Sequence, residues 1–179
     1  MTTPSTTPTV ATTMPSPVGP LTLVASDAGL RSVLWPADDH KVDPGDEVGH
    51  AQVVDADDHP ILVVARRQLN EYFAGDRTEF DVALDPLGTP FQRSAWTALR
   101  SIPYGETISY GEQAERMGDK RKARAVGAAN GKNPLSIVVP CHRVVGADGS
   151  LTGFAGGVET KAWLLAHESA TVGATLALS

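Results

Sequence analysis

Two short helical patterns joined by a glycine turn, within residues 109–131, constrain the fold of this chain more than any other feature. Ser109 followed by Glu112 is a capping box that starts the first pattern, and Gly118 is placed to end it. Asp119 then supplies the N-cap of a second pattern, "KRKARAVGAANG". Two short helices separated by a tight turn predict a helix-turn-helix.

The second of these helices has unusually small side chains. Alanine and glycine fill much of its surface, whereas a helix that reads base edges in the major groove normally presents long polar side chains. The composition fits two interpretations: close packing against another helix, or close approach to a nucleic-acid backbone or minor groove. The residues alone leave both open.

Charge is divided unevenly between the two halves of the chain. The net charge of −6 argues against a nucleic-acid partner, yet residues 1–86 hold 5 Lys and Arg against 14 Asp and Glu, while residues 87–179 hold 10 against 7. Local charge, not the total, decides whether a surface can meet phosphates. The basic half contains the cluster Lys120, Arg121, Lys122 and Arg124. A solvated helix face would explain this cluster equally well.

The first half is predicted to form a small α/β domain. Residues 21–26 and 29–35 flank a two-residue turn and predict an antiparallel hairpin. A helical stripe over residues 61–73 predicts one helix, and residues 79–84 alternate as a further strand. The acidic segment 36–59 is expected to be a loop.

The second half is predicted to be mostly helical. Thr89 and Gln92 form another capping box with Pro90 at the first helical position, so a helix should run to about Leu99. The last helical pattern covers residues 158–168. The chain is therefore expected to be an α/β (α+β) protein whose second domain is winged-helix-like. The predicted division is a disordered tail at 1–16, an α/β domain at 17–86, a helical domain at 87–170 and a C-terminal tail at 171–179.

Cys141 is the only cysteine and lies in "SIVVPCHRVV", at the end of an apolar run that suits a buried strand. One cysteine excludes an intramolecular disulfide and any zinc site with two or more cysteines, and it favours a reducing cytoplasm. Most free cysteines are buried core residues. Here Pro140 should end the strand, while His142 and Arg143 could lower the thiol pKa from about 8.5 and make the sulfur a nucleophile. Glu168, near the end of the last helix, is a candidate to orient the histidine, or else a solvated surface residue.

Several segments resemble the O6-alkylguanine-DNA alkyltransferase family. "SYGE…ARAVGAANGKNP", "PCHRV" and "GFAGG…KAWLLAHE" follow in the family's order and spacing over about residues 87–169. "SPVGPLTLVAS" and "QLNEYFAGDRTEFDV" also resemble the family's bacterial N-terminal half. The resemblance implies DNA repair by direct reversal, in which an alkyl group moves irreversibly from O6-alkylguanine, and from O4-alkylthymine, to a cysteine that reacts once.

The resemblance also implies a role for individual residues. Cys141 matches the alkyl acceptor, His142 the base that takes its proton through a water, and Glu168 the acid that orients the histidine. Tyr110 matches the phenol that hydrogen-bonds the flipped guanine, and Arg124 the side chain that fills its place in the stack. Further DNA and substrate contacts are implied at Asn133 (the hinge asparagine), Ala125, Ala129, Gly131, Val144, Phe154 and Ala155.

Two positions depart from the family pattern. Phe154 stands where tyrosine is usual, and Ala155 where some relatives have serine. Activity is expected to survive these changes, and the selectivity among alkyl groups stays open. Some relatives hold zinc in the first half with two cysteines, which this chain lacks, and His40, His50 and His59 are expected to be exposed residues instead of ligands. No metal and no cofactor are implied.

The partner implied by the resemblance is double-stranded DNA that contains O6-alkylguanine. A monomer is expected, and whether copies assemble cooperatively on DNA stays open. No membrane partner is expected, because no apolar run approaches the roughly 18 residues of a membrane span.

Two other functional classes remain to be weighed. A non-enzymatic binder of damaged DNA would resemble the family but lack its cysteine, and the intact "PCHR" argues against it. An unrelated Cys–His hydrolase would turn over, and it would have no need of a DNA-binding helix pair.

Overall fold

The computed structural model describes residues 9–36, 52–55 and 58–177, and the structural statements below concern these residues. One sheet contains the strands β1 (Val10–Met14), β2 (Leu21–Ala25), β3 (Leu30–Leu34) and β4 (Gln52–Asp55). Their order is β3-β2-β1-β4, with β4 parallel to β1 and the other pairs antiparallel. Helix α1 (Pro60–Phe73) packs on this sheet through its buried stripe.

The predicted hairpin and the predicted first helix are both confirmed. Strands β2 and β3 pair antiparallel around residues 26–29. Helix α1 ends at Phe73, and Gly75 follows with a φ of +80°, a value that glycine adopts without strain.

The prediction of disorder over residues 1–16 is wrong for its second part. Val10–Met14 is strand β1, which lies between β2 and β4, and Ala11 and Met14 are fully buried. A strand's stability depends on its partners more than on its own composition, so pairing overrides the Thr/Pro bias. The acidic segment 36–59 likewise contains strand β4, whereas residues 1–8, 37–51 and 56–57 lie outside the described part of the chain, His40 and His50 among them.

Residues 79–84 do not form the predicted strand. Only Leu84 makes a bridge, to Leu30 of β3. The side chain of Gln68, buried in α1, accepts hydrogen bonds from the amides of Asp81 and Val82 at 3.2 and 3.3 Å. A side chain thus satisfies backbone groups that a neighbouring strand would otherwise pair.

The second half contains α2 (Pro90–Leu99), α3 (Tyr110–Arg116), α4 (Ala123–Gly131) and α5 (Val158–Ala177), with a short parallel pair of β5 (Ile108–Ser109) and β6 (Val144–Val145). The capping box at α2 is confirmed in both directions, between Thr89 and Gln92. At α3 only half of the box forms: Ser109 Oγ accepts from the Glu112 amide, while the Glu112 carboxylate pairs with Arg116 at 3.2 Å.

The predicted helix pair is confirmed, with one detail added. Gly118, at a φ of +107°, ends α3, and Asp119 caps a single 3-10 turn, Lys120–Lys122, that leads into α4. The α+β class is therefore confirmed, with three antiparallel strands, β3-β2-β1, in the N-terminal sheet and a helical second half, while the fourth strand, β4, pairs parallel. None of the helices in the described part of the chain is long and apolar enough to cross a membrane.

Two predictions for the second half are wrong: the strand before Cys141 and the C-terminal tail. Residues 136–139 form a tight turn instead of a strand, in which the Val139 amide donates to the Leu135 carbonyl and Ile137 has a φ of +74°. Helix α5 continues to Ala177, so residues 171–177 are helical and not a tail. Ala170, Ala174 and Ala177 favour continuation of the helix beyond residue 168.

The two halves share one hydrophobic core, and the first half contacts the segment that precedes Cys141. The Val33 amide of β3 donates to the Pro134 carbonyl at 2.8 Å. The indole of Trp35, which follows β3, donates to Ser136 Oγ at 3.1 Å. The first half therefore holds the chain immediately before Cys141.

Candidate active site

Cys141 begins a 3-10 turn, Cys141–Arg143, directly after Pro140. Its amide donates to the Val139 carbonyl at 2.8 Å, and 8% of the residue is exposed. The residue is therefore almost completely buried. The predicted strand before Cys141 is absent. In a strand, the side chains of Cys141 and His142 would point to opposite faces, and this alternation does not apply to the 3-10 turn.

Burial raises the pKa of the Cys141 thiol, against a hydrogen bond from Asn133 and the positive charge of Lys161, which both lower it. The expectation that adjacent basic groups lower this pKa is therefore wrong. Arg143 directs its guanidinium to Glu168 and to the Ile102 carbonyl instead. The thiol is protonated at neutral pH, and a base has to remove its proton before the sulfur is a strong nucleophile.

His142 is completely buried and pairs with Glu168, with 2.6 Å between Nε2 and Oε2. Burial lowers the pKa of His142, and the hydrogen bond and charge of Glu168 oppose this only in part. The neutral imidazole therefore keeps its proton on Nε2, facing the carboxylate. Nδ1 is buried and has no hydrogen-bond partner among the described residues, so its lone pair is available to take a proton.

The Glu168 carboxylate accepts five hydrogen bonds from four residues. The donors are His142 Nε2 (2.6 Å), Tyr72 Oη (2.7 Å), Arg143 Nε (2.8 Å), Arg143 Nη2 (3.2 Å) and the Gly105 amide (3.2 Å). Burial alone would raise the pKa of Glu168, but hydrogen bonds and charge from His142 and Arg143 outweigh it and lower the pKa to about 2. This carboxylate stays ionised and is fixed in orientation.

Asn133 connects the end of α4 to the cysteine turn. Its Nδ2 donates to the Val139 carbonyl at 2.9 Å, and its Oδ1 accepts from the Leu135 amide at 3.0 Å. These two bonds close the loop around the strained Ile137 and leave the Val139–Cys141 backbone in one conformation.

Tyr110 is the first residue of α3, and its ring packs beside Gly127 of α4. Its hydroxyl donates to the Thr152 carbonyl at 3.3 Å, a long hydrogen bond that a better acceptor could replace. Lys161 Nζ lies 5.9 Å from the centre of the same ring. A phenol and an ammonium group thus face the region between α3 and the 152–157 segment.

Helix α4 presents one face to solvent and one to the core. Arg124, Ala125 and Gly131 are exposed, and a Cβ at Gly131 would meet no atom within 4 Å. The opposite face is buried and satisfied internally by Val126, Ala129 and Asn130, of which Asn130 exchanges amide hydrogen bonds with Gln113. The buried face fits the interpretation of close packing, and contact of the exposed face with nucleic acid stays a prediction.

Comparison with known proteins identifies the family. The model of the 6-O-methylguanine DNA methyltransferase ribonuclease-like domain matches residues 9–86, and that of the DNA binding domain matches residues 90–170. The methylated-DNA–protein-cysteine methyltransferase of Methanosarcina acetivorans is 45% identical over 153 residues, which cover 86% of this chain and 94% of the relative. That of Mycobacterium bovis is 47% identical over 173 residues, covering 93% and 96%. The chain belongs to the 6-O-methylguanine DNA methyltransferase family.

Solved structures of the family share the fold. The crystal structure of Mycobacterium tuberculosis O6-methylguanine methyltransferase has 46% sequence identity and a TM-score of 0.80, over 91% of this chain and 94% of the other. A second structure of the Mycobacterium tuberculosis protein, in complex with DNA, has 45% identity and a TM-score of 0.77, over 90% and 94%.

Three of the residues predicted to touch DNA or substrate are buried: Asn133, described above, Ala129 and Val144. Ala129 is 3% exposed, and its carbonyl accepts from the Trp96 indole at 2.9 Å, so this side chain belongs to the core. Val144 is fully buried in β6 opposite Ile108. Helical periodicity and the short strand turn the side chains of Ala129 and Val144 into the core, so a contact through these side chains is wrong, while a contact through their backbone stays a prediction.

Phe154 and Ala155 are half-buried, and the Phe154 ring meets Trp35 edge-on with 5.6 Å between centroids. Their contact with the substrate stays a prediction. His59 is half-buried and not exposed as predicted, because its Nδ1 caps α1 by accepting from the Ile61 amide at 3.3 Å and its Nε2 lies 3.6 Å from Asp27 Oδ1.

Sequence reasoning missed Lys161 and Tyr72 as members of the site, and it assigned Arg143 to the thiol instead of to Glu168. Lys161 is 1% exposed and donates to the Val144 carbonyl at 2.6 Å and to the Thr152 carbonyl at 3.0 Å, while burial lowers its pKa. One signal was present in the sequence: Lys161 falls on the same helical face as Leu164 and Glu168. Charged residues at core positions of a helix are rarely there without a partner.

Proposed function

We propose that this chain repairs alkylated DNA by transferring the alkyl group of O6-alkylguanine to Sγ of its own Cys141, once per protein molecule. Membership of the methyltransferase family supports the reaction class. One observation carries the assignment to these residues: a lone buried thiol shares a turn with a neutral histidine whose other nitrogen is held by an ionised glutamate.

The transfer is a single displacement at the alkyl carbon. His142 takes the thiol proton on Nδ1, directly or through one water, and the imidazolium that forms is stabilised by Glu168. The sulfur lone pair then forms the S–C bond while the C–O6 bond breaks, and its electrons return to the guanine. A thioether has no easy hydrolytic exit, so the protein is consumed and no cofactor is needed.

The leaving guanine needs a hydrogen-bond donor while it gains charge. Tyr110 is suited to this role because its hydroxyl donates only weakly to Thr152, at 3.3 Å, and can turn to a bound base. The base takes up one proton overall, which balances the proton given up by the thiol. A donor aimed at developing negative charge is worth about 10²- to 10³-fold in rate at such sites.

The lesion must leave the duplex before it can react. Cys141 is 8% exposed and cannot reach O6 inside stacked DNA, so base flipping is part of the proposal. The exposed face of α4 is slim enough to lie in a minor groove at Ala125 and Gly131, and Arg124 on this face would occupy the space of the extruded base.

The same geometry extends the proposal to O4-alkylthymine. That lesion also carries an alkyl group on an exocyclic oxygen and leaves as a neutral base after one protonation. A reducing cytoplasm is the proposed location, since the reaction needs Cys141 as a free thiol.

The decisive experiment measures intact mass after incubation with a duplex that contains one O6-methylguanine. The wild-type protein should gain one methyl group in proportion to the lesion, and Cys141→Ser should gain none. Repaired DNA with unmodified protein would indicate turnover, as expected of a hydrolase. Bound but unrepaired DNA would indicate a damage-binding protein, and either result would overturn the proposal.

A further inference from the structure

Oε2 of Glu168 is shared between the two halves of the chain. It accepts from His142 at 2.6 Å and from Tyr72 Oη at 2.7 Å, and more weakly from Arg143 Nη2 at 3.2 Å. His142 and Arg143 belong to the cysteine turn, whereas Tyr72 belongs to α1 in the first half. The first half had no predicted part in the chemistry, yet it places a donor on the very oxygen that faces the base.

Burial, ring contacts and a backbone hydrogen bond fix the position of Tyr72 beside Glu168. The residue is fully buried, and its ring meets Tyr104 edge-on at 6.1 Å and His167 at 5.3 Å between centroids. Its carbonyl accepts from His167 Nε2 at 2.8 Å, while its hydroxyl reaches Glu168. Two consecutive residues of α5 are thus fixed by one residue of α1.

The Tyr72 hydroxyl can act only as a donor in this position. Burial, together with the charge and hydrogen bond of Glu168, raises the pKa of Tyr72, so the phenol keeps its proton at every pH at which the protein is folded. A phenol and an imidazole that donate to the same oxygen compete for its electron density. The stronger the bond from Tyr72, the less Glu168 stabilises a proton on His142.

We propose that Tyr72 is a positioning residue that orients Glu168 and tunes the basicity of His142, so that the first half of the chain controls the base of the alkyl transfer. This inference rests on the proposed function of Cys141. It gives the first half a task beyond packing, and it predicts that changes at Tyr72 act on the pH dependence of the reaction.

The direction of the pH shift follows from the competition of Tyr72 and His142 for Oε2 of Glu168. The transfer needs neutral His142, so its rate rises with pH through the pKa of this group. Without the Tyr72 hydroxyl, Glu168 stabilises the imidazolium more, and the acidic limb of the rate profile moves to higher pH. A stronger donor at position 72 moves it to lower pH. The other titratable or charged groups around the pair are Arg143, Lys161, Cys141, Tyr104 and His167.

The test is the single-turnover rate of methyl transfer from an O6-methylguanine duplex, measured from pH 5 to 9 on the full chain. We expect Tyr72→Phe to move the midpoint of the acidic limb up by about 0.5 to 1 pH unit, which slows transfer by about three- to tenfold at pH values below the midpoint and far less at pH 7. Replacing Tyr72 alone with 3-fluorotyrosine, whose phenol is a stronger donor of nearly the same shape, should move the midpoint down.

Tyr104→Phe is the matched control, because it removes the hydroxyl of the neighbouring ring, which does not donate to Glu168. Its midpoint should equal that of the wild type. If Tyr72→Phe does not fold, the fluorotyrosine protein still decides the question. A damaged scaffold lowers the rate by the same factor at every pH, so midpoints that stay fixed, or that move in the same direction in both Tyr72 variants, would overturn the inference.

Failure of this inference can be told apart from failure of the proposed function. A wild-type protein that takes no methyl group from the duplex contradicts the proposed function itself. A wild-type protein that is methylated on Cys141, with a pH profile insensitive to position 72, contradicts only the role of Tyr72.

Discussion

The side chain of Asn133 donates from Nδ2 to the carbonyl of Val139, at 2.9 Å, and thereby fixes the backbone two residues before the reactive sulfur. The same side chain accepts from the Leu135 amide at 3.0 Å. One buried amide therefore spans the whole turn that replaces the predicted strand. The conformation of the cysteine segment depends on α4, and so does the position of the thiol.

Replacing Asn133 with Ala should slow methyl transfer and destabilise the protein. Two buried hydrogen bonds are lost: the Leu135 amide loses its acceptor, and the Val139 carbonyl keeps only the Cys141 amide. This loss costs about 1 to 3 kcal/mol in the free energy of unfolding. Urea unfolding and single-turnover transfer measure the two effects. Asn70→Ala, at an exposed position of α1, is the control and should change neither. Wild-type rate and stability in Asn133→Ala would contradict this role.

Stability should fall steeply on the acidic side, with Glu168 as a main cause. Its pKa of about 2 in the folded protein lies below the ordinary 4.5, so its stabilisation is present above about pH 4.5 and is lost as pH falls towards 2. The pKa of His142 is also lowered on folding, and its contribution is lost in the same direction as pH falls below 6.5. For Glu168 the loss amounts to about 3 kcal/mol.

Urea unfolding at several pH values from 7 to 3 tests this dependence. Glu168→Gln should be less stable than the wild type at pH 7, because Arg143 is left buried without its anion, and should lose less stability on acidification. Glu159→Gln, at an exposed position of the same helix, should keep the wild-type slope. Parallel wild-type and Glu168→Gln curves would show that other groups cause the acid sensitivity.

Local signals in the sequence predicted the helices well, and non-local pairing accounts for most of the errors. The capping box at Thr89 and the glycine at 118 act within one turn of chain, so the pattern carries the structure. Strand β1 forms because β2 and β4 flank it. Residues 136–139 form a turn because Asn133 binds the Val139 carbonyl and Ser136 accepts from the Trp35 indole, and neither contact belongs to a strand ladder. Such partners cannot be read from the segment itself.

The site also contains residues that a motif predicted and residues that only the fold brings together. The family motif predicted the pairing of His142 with Glu168, and the structure places them in contact. Tyr72 lies 96 positions from Glu168 in sequence, and no local pattern connects the two. The placement of Lys161 on the same helical face as Leu164 and Glu168 was a usable signal that the prediction left out.

Trp35 should matter for transfer although it lies in the first half. Its indole donates to Ser136 Oγ, and its ring packs against Phe154 and Gly156 beside the cysteine turn. Trp35→Phe removes the hydrogen bond and leaves a cavity, which should cost about 1 to 3 kcal/mol in unfolding free energy and slow transfer. Trp163→Phe, a half-buried position on α5, should leave the transfer rate nearly unchanged. Equal rates in the two variants would indicate that Trp35 only fills space.

The last prediction concerns how the lesion is reached. Arg124 and Lys132 are both exposed basic residues at opposite ends of α4. If Arg124 occupies the gap of an extruded base, Arg124→Ala should slow transfer from duplex DNA at least tenfold, and should have far less effect on a single-stranded substrate, which needs no extrusion. Lys132→Ala removes one positive charge near the phosphates and should weaken binding to the duplex only modestly, with a smaller dependence on salt. Single-turnover rates on matched duplex and single-stranded oligonucleotides, at saturating protein, separate the two effects. An equal loss on both substrates for Arg124→Ala would place this residue in general DNA binding and not in base flipping.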